Sequence, residues 1–371
     1  MKRATIVGGS LTGLAAGILL CTIGWEVNVF ERSSQSLSDR GAGIVMQPET
    51  LDMLRLCGAK TDAEVGVWLT TRQYLSADGS ILSSQGMPQL MTSWGLLYSW
   101  FKMSFPEQNY HLDQEFQNLQ QVESSITSRF KSGVEDSADL LIAADGFRSG
   151  IRALFLPKVQ PEYAGYVAWR GVVPEADLPK SALKVFADHF TFFEMQGSHI
   201  LAYLIPGETG DTEVGQRRLN WVWYWNLPEK GLSALLTDAK GVRQAYAVPP
   251  GGVHPEQEQK QRGIAESVLP PVFKELLRAT KEPFVQAIMD LACPQVVFDR
   301  IILTGDASFV IRPHTAASTS KGIAGAFALA QELRQQQTLS ESLENWQKSE
   351  LDRGRNLMSY GQGLGGRSQG R

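Results

Sequence analysis

The sequence predicts an α/β fold in which a doubly wound parallel-sheet domain carries an inserted antiparallel sheet and ends in C-terminal helices. Three observations lead there. An uncharged run, Ala4 to Gly24, leads into "EVNVFE", Glu26 to Glu31, at the distance a second parallel strand requires. From Tyr163 to Asn226 the chain changes to short runs rich in aromatic and β-branched residues separated by turn residues. Past Pro255 helical patterns return, and a buried-strand pattern, "RIILTGD", reappears at Arg300.

A chain of 371 residues with 43% apolar content can bury a large core, in one large unit or two. Its 35 basic and 39 acidic residues leave a net charge of −4 without a basic block. That balance argues against an electrostatic grip on nucleic acid or anionic lipid and for a small-molecule partner. Cys21, Cys57 and Cys293 are far apart, odd in number and without metal-ligand spacing. They point to a reducing, cytoplasmic setting and to no metal site.

In chain order, Ala4 to Val7 reads as a strand, Leu11 to Ile23 as a helix and Glu26 to Phe30 as a strand. The uncharged run resembles a targeting segment or membrane anchor, but glycines at 8, 9, 13 and 17 interrupt it, so no membrane span is expected. Gly8 and Gly13 hold the first and third places of a G-x-G-x-x-G turn, with Ser10 in the middle place. Such a turn presents backbone N–H groups and a helix N-terminus to a diphosphate, and Glu31, ending the next strand, can accept hydrogen bonds from a ribose. "ADLLIAADGFRSGIR", Ala138 to Arg152, is a second buried strand, running into Asp145 and Gly146. "YVAWRGVV", "HFTFFEM", "HILAYLIP" and "LNWVWYWNL" form the inserted sheet. A third strand ends at Gly305 and Asp306, followed by a proline loop and helices over Ser318 to Gln335 and Leu339 to about Ser359.

The tail "GQGLGGRSQG" matches G-x-G-x-x-G letter for letter at Gly361, Gly363 and Gly366. It follows a helix and leads to no second one, so it is expected to be flexible and not a phosphate cradle. The expected division is 1–162 with 285–335 as the nucleotide-binding domain, about 66–98 reaching into the substrate domain. Residues 163–284 form that substrate domain, 336–360 the C-terminal helix and 361–371 the tail.

The order GGSLTG…ER, AADG, then TGDAS…RPHTAASTSKG resembles the single-component, FAD-dependent aromatic hydroxylases of the p-hydroxybenzoate hydroxylase fold. "YAGYVAWRGV", "NWVWYWN" and "RPHTAASTSK" are most similar to the branch of 2,6-dihydroxypyridine 3-hydroxylase and its relatives. The resemblance implies a Rossmann-like FAD-binding domain. Gly8, Gly9, Ser10, Leu11, Thr12 and Gly13 would hold the FAD diphosphate, Glu31 the adenosine ribose, and Arg32 and Gly43 the rest of the cofactor. Asp145 and Gly146 belong to the family element linked to FAD and nicotinamide binding. Gly305 and Asp306 would meet the diphosphate and ribityl region, with Pro313, Thr315, Ala316 and Ala317 beside the isoalloxazine. Members often carry arginine where this chain has Ser99, and an acidic pair where it has Gly325.

The implied activity is hydroxylation of a small electron-rich aromatic or N-heteroaromatic compound with O₂ and NADPH or NADH, through a flavin C4a-hydroperoxide. The reductant is expected to bind transiently, because the chain has no second glycine fingerprint. A ring hydroxyl is activated by losing its proton, so histidines and tyrosines near flavin and substrate are the catalytic candidates: His314 first, then His199, Tyr203 and Tyr224. Two other readings stay open at this stage, a flavin dehydrogenase or reductase of the same fold and a non-catalytic FAD-binding redox sensor. "WYWNLP" also resembles a flavin-dependent halogenase box. A homodimer is left open as the assembly.

Overall fold

The computed structural model describes residues 2–37, 42–122, 124–335 and 338–370. The uncharged N-terminal run forms the strand Arg3–Val7 and the helix Leu11–Thr22, both almost wholly buried. Leu14, Ala15 and Leu19 pack into the core, as an uncharged strand and helix require. No helix among the described residues is long and apolar enough to cross a membrane.

Two sheets carry the architecture. The first has six strands in the order Val297–Phe298, Ile301–Leu303, Leu140–Ala143, Arg3–Val7, Glu26–Phe30, Tyr110–His111. All but the outermost Val297–Phe298 run parallel, with Ala4 opposite Leu140 and Arg3 opposite Glu26. The carboxyl ends of its strands therefore deliver Gly8, Glu31, Asp145 and Asp306 to one edge, where open α/β sheets bind ligands.

The second sheet has ten strands. Its centre is the antiparallel run Glu162–Pro174, Arg218–Asn226, Ser198–Ile205, His189–Met195. Beyond it come Val67–Leu75, Ile81–Ser93 and Gly43–Val45 on one side and Phe284–Ala292 on the other. The sheet thus reaches past 163–284. Residues 285–292, placed by sequence in the nucleotide-binding domain, belong to the strand Phe284–Ala292, which pairs with Glu162–Pro174 here, because its alternate residues Val285 and Ala287 close the sheet's core.

Alternation sorts the aromatic side chains between the two faces. Trp169, Trp221 and Trp223 are fully buried on the face covered by the helices Lys180–Phe186, Pro255–Val268 and Pro271–Ala279, with Phe186 and Phe273 in edge contact there. Tyr166, Val222 and Tyr224 lie on the other face. The tryptophans are consequently core.

The glycine-rich tail departs from expectation. The last helix runs Leu339–Ser368, opened by a capping box of Thr338 and Glu341. The expected helix begins at Leu339 and ends near Ser359; residue 336, where the C-terminal unit is bounded, lies outside the described residues. Gly354, Gly361 and Gly365 sit on one helical face. A Cβ on Gly354 would meet the Phe309 ring at 2.4 Å, and one on Gly365 would meet Tyr166 Oη at 2.8 Å. The glycines record close packing, not disorder.

Candidate active site

Two joined cavities lie where the sheets meet. The smaller, about 300 Å³, is bounded by the carboxyl edge of the parallel sheet and includes Gly8, Ser10, Glu31, Arg32, Asp145 and Gly146. The larger, about 710 Å³, opens over the Tyr224 face of the big sheet. Trp94, Phe147, Tyr246 and Asp306 line both and mark the joint.

The turn at the smaller cavity is forced open by glycine. Gly8 has φ +107°, and a Cβ there would sit 2.2 Å from the Ala144 carbonyl oxygen; a Cβ on Gly13 would sit 1.9 Å from the Gly8 carbonyl oxygen. Ser10 caps the helix by position and its side chain makes no capping bond, so the N–H groups of the first turn remain available to an anion. Glu31 is buried, and its carboxylate accepts from Gly9 N–H and Ser33 N–H at 2.9 Å each. Asp145 Oδ1 is buried without a partner, and burial raises this carboxyl above the usual aspartate range. At the joint, Lys321 Nζ, itself 2% exposed, donates to Asp306 Oδ1 at 2.6 Å.

A glycine cradle, a free helix N-terminus, an orphaned acceptor at Asp145 and an elongated double cavity fit a dinucleotide whose flat end reaches the larger chamber. The sequence candidates divide accordingly. Gly43, His199, Tyr203, Tyr224, Pro313, His314, Thr315 and Ala316 line the larger cavity. Gly9, Leu11, Thr12, Gly13, Gly305 and Ala317 line neither and stand behind the walls. A Cβ on Gly305 would lie 2.8 Å from Thr12 Oγ1, which shows how tightly the turn seats on the next loop. Ser99 bonds back to the Gly95 carbonyl, and Gly325 faces Glu350 of the last helix, whose carboxylate would lie 2.9 Å from an added Cβ.

Four polar rings meet at the chamber's end. His314 Nε2 is 2.9 Å from Tyr166 Oη, and its ring centre is 4.5 Å from that of Tyr224 and 5.3 Å from that of His199. His199 stacks on Tyr224 at 4.8 Å. Burial first, then the nearby His199, Arg312 and Arg170, lower the His314 pKa to about 3; burial alone lowers His199 to about 4. Burial pushes the phenols of Tyr166, Tyr203 and Tyr224 upward. Near neutral pH the cluster is therefore uncharged. Behind it, Arg312 pairs with Asp290 at 2.8 Å and lies over the Tyr166 ring.

Sequence reasoning missed Tyr166, Arg170, Arg72, Phe147 and Tyr246. A signal existed for Arg170, since an arginine inside a run of strand apolars needs a reason to be there. None existed for Tyr246, which reaches the joint from an irregular loop and meets Phe147 at 4.3 Å.

Comparison with known proteins is consistent with this geometry. A family profile described as FAD binding domain-like matches residues 163–290. The chain is 33% identical to 2,6-dihydroxypyridine 3-monooxygenase of Paenarthrobacter nicotinovorans over 95% of its own length and 88% of the relative's. It is 24% identical to 6-hydroxynicotinate 3-monooxygenase of Pseudomonas fluorescens over 90% of this chain and 83% of that one. The solved structure of 2,6-dihydroxypyridine-3-hydroxylase from Arthrobacter nicotinovorans superposes with a TM-score of 0.93 at 32% identity, covering 99% of this chain and 93% of the other.

Proposed function

The chain belongs to the FAD-dependent aromatic hydroxylases, and from that premise we propose that it hydroxylates a small, hydroxylated N-heteroaromatic ring held in the larger cavity. It is an FAD-dependent monooxygenase with NAD(P)H as reductant. The observation that carries the substrate reading is the chamber itself: a space of about 710 Å³ with hydroxyl and imidazole groups at one end, and with arginine and glutamine side chains set among apolar ones along the rest of its wall. Relatives named for dihydroxypyridine and hydroxynicotinate support the same class.

FAD, when bound and reduced by NAD(P)H, supplies the reaction with O₂. In this reading Gly8, Ser10 and the first helical turn bind the diphosphate, Glu31 and Arg32 the adenosine end, and Asp145 and Asp306 the stretch toward the joint. Gly43 and Pro313 to Ala316 flank the flat ring, with the helix Ser318–Arg334 starting beside them. Tyr166, His314, His199, Tyr203 and Tyr224 would orient the substrate's polar edge, and the apolar side chains of Phe190, Val222 and Ile288 would keep water from the ring.

The test is substrate-stimulated NAD(P)H oxidation across hydroxypyridines, phenols and indoles, with ¹⁸O₂ as the oxygen source. A product carrying one labelled atom supports the reading. Stimulated oxidation that yields no labelled product with any compound overturns it.

A further inference from the structure

Two charged side chains lie deep in the protein where the C-terminal helices cross. Glu350 of the last helix and Lys321 of the helix Ser318–Arg334 are 1% and 2% exposed. Charges at that depth need partners, because each has given up its hydration. Lys321 donates to Asp306 Oδ1 at 2.6 Å and approaches the Ser318 carbonyl oxygen at 3.5 Å. Glu350 accepts from Arg353, a turn further along its own helix.

Gly325 brings the two together. It lies one turn after Lys321 on the same helical face, as Trp346 lies one turn before Glu350 on the other helix. Trp346 Nε1 donates to the Gly325 carbonyl oxygen at 2.9 Å, which fixes the crossing. The Glu350 carboxylate oxygens would lie 2.9 and 3.2 Å from a Cβ on Gly325, so the carboxylate occupies the space that a side chain there would fill. Burial raises the Glu350 carboxyl above the usual glutamate range, and the charges of Arg353 and Lys321 act against that rise.

Charges of alternating sign therefore run from the last helix to the joint: Arg353, Glu350, Lys321, Asp306. Asp306 alone of the four lines the cavities. A buried ammonium with a single carboxylate partner would draw that carboxylate wholly to itself. With Glu350 behind it, Lys321 divides its charge between two acceptors, and Asp306 keeps lone pairs for the hydroxyl groups of a ligand passing the joint.

We propose that Glu350 is a positioning residue for the cofactor: its negative charge, delivered from the last helix into the space at Gly325, balances Lys321 and so leaves Asp306 able to hold FAD at the joint. The inference rests on the reading that FAD crosses the joint past Asp306, and on no assumption about the substrate. It gives a residue that lines neither cavity a part in cofactor affinity.

The experiment titrates FAD, and separately ADP, calorimetrically into the full-length protein freed of flavin. ADP carries the adenosine and the diphosphate but nothing that reaches Asp306. Glu350→Gln keeps the shape and removes the charge; it should weaken FAD about 10-fold and ADP by less than about 2-fold. Asp306→Asn should weaken FAD in the same selective way. Adding Glu350→Gln to it should cost less than about 2-fold more, since a residue that acts through Asp306 then has nothing to act on. Moving the carboxylate tests the geometry. Gly325→Asp combined with Glu350→Ala should bring FAD affinity to within about 3-fold of the natural protein, and Gly325→Asn combined with Glu350→Ala should not.

Natural FAD affinity in E350Q overturns the proposal, and so does an equal loss of FAD and ADP, which marks a structural carboxylate. Equal recovery with asparagine and aspartate at position 325 overturns it too, because volume and not charge would then be what counts. Should E350Q not fold, the two relocated variants decide by the same comparison. If Asp306→Asn weakens FAD and E350Q does not, the cofactor's path past Asp306 stands and the role of Glu350 falls. If Asp306→Asn binds FAD as the natural protein does, the path itself falls and takes the role of Glu350 with it.

Discussion

At the scale of single residues, the two histidines tie the chamber to acid stability. In the unfolded chain both imidazoles take up protons near 6.5, whereas in the fold burial delays uptake to about 4 for His199 and about 3 for His314. Between those values the unfolded state binds more protons, so stability is complete above about 6.5 and is lost as the pH falls. Each histidine contributes up to about 1.4 kcal/mol per pH unit in that window. The buried carboxyls of Asp145 and Glu350, raised by desolvation, act in the opposite sense but are common to the proteins compared. His199→Gln with His314→Gln should therefore flatten the fall of Tm between pH 6.5 and 4; an unchanged slope would mean the imidazoles are hydrated. Tyr166→Phe tests the same cluster differently. It removes the 2.9 Å contact to His314 and should cost about 0.5–1.5 kcal/mol in stability. Reduction by NAD(P)H should persist while the product formed per NAD(P)H consumed declines, because the ring that orients His314 has lost its hydroxyl.

At the scale of elements, what could be read from the sequence was whatever is encoded locally. The turn at Gly8 and Gly13, the acidic end of the second strand at Glu31 and the strand ending at Asp306 each carry their signal within a few residues. For Val67–Leu75 the sequence indicates the substrate domain, within about 66–98, but not the partner, because it pairs in parallel with His189–Met195 more than a hundred residues away and nothing in its own sequence records that strand. Gly43–Val45 is too short to have a period at all. The last helix failed for another reason: glycine composition stands for disorder only when the glycines are exposed, and burial is a property of the fold. That distinction is measurable. Gly363 has nothing within 4 Å of an added Cβ, so Gly363→Ala should stabilise the helix by about 0.5–1 kcal/mol. At Gly365 the added carbon would lie 2.8 Å from Tyr166 Oη and 3.0 Å from Arg312 Cδ. Gly365→Ala should destabilise by about 1–3 kcal/mol and disturb the chamber along with the helix. Thermal melts of the pair should move in opposite directions; a rise in both would detach the helix from the site.

At the scale of the whole molecule, the site belongs to neither sheet alone. The parallel sheet supplies the smaller cavity through the ends of its strands, and the larger sheet supplies the chamber through one face. They share only the joint at Trp94, Phe147, Tyr246 and Asp306. A ligand that fills one cavity stabilises one layer, whereas a ligand spanning the joint must release both before the chain unfolds. The second half of such a ligand binds at a high effective concentration once the first is seated. FAD at about 100 times its dissociation constant should add about 2.7 kcal/mol to stability. ADP and riboflavin together, at the same concentrations, should add much less, although between them they carry the same rings and a diphosphate. If the separated halves raise Tm as far as FAD does, the two cavities fill independently and the joint is not a through-passage. A larger shift from the intact dinucleotide would instead follow directly from one ligand crossing between two cavities that share only that joint.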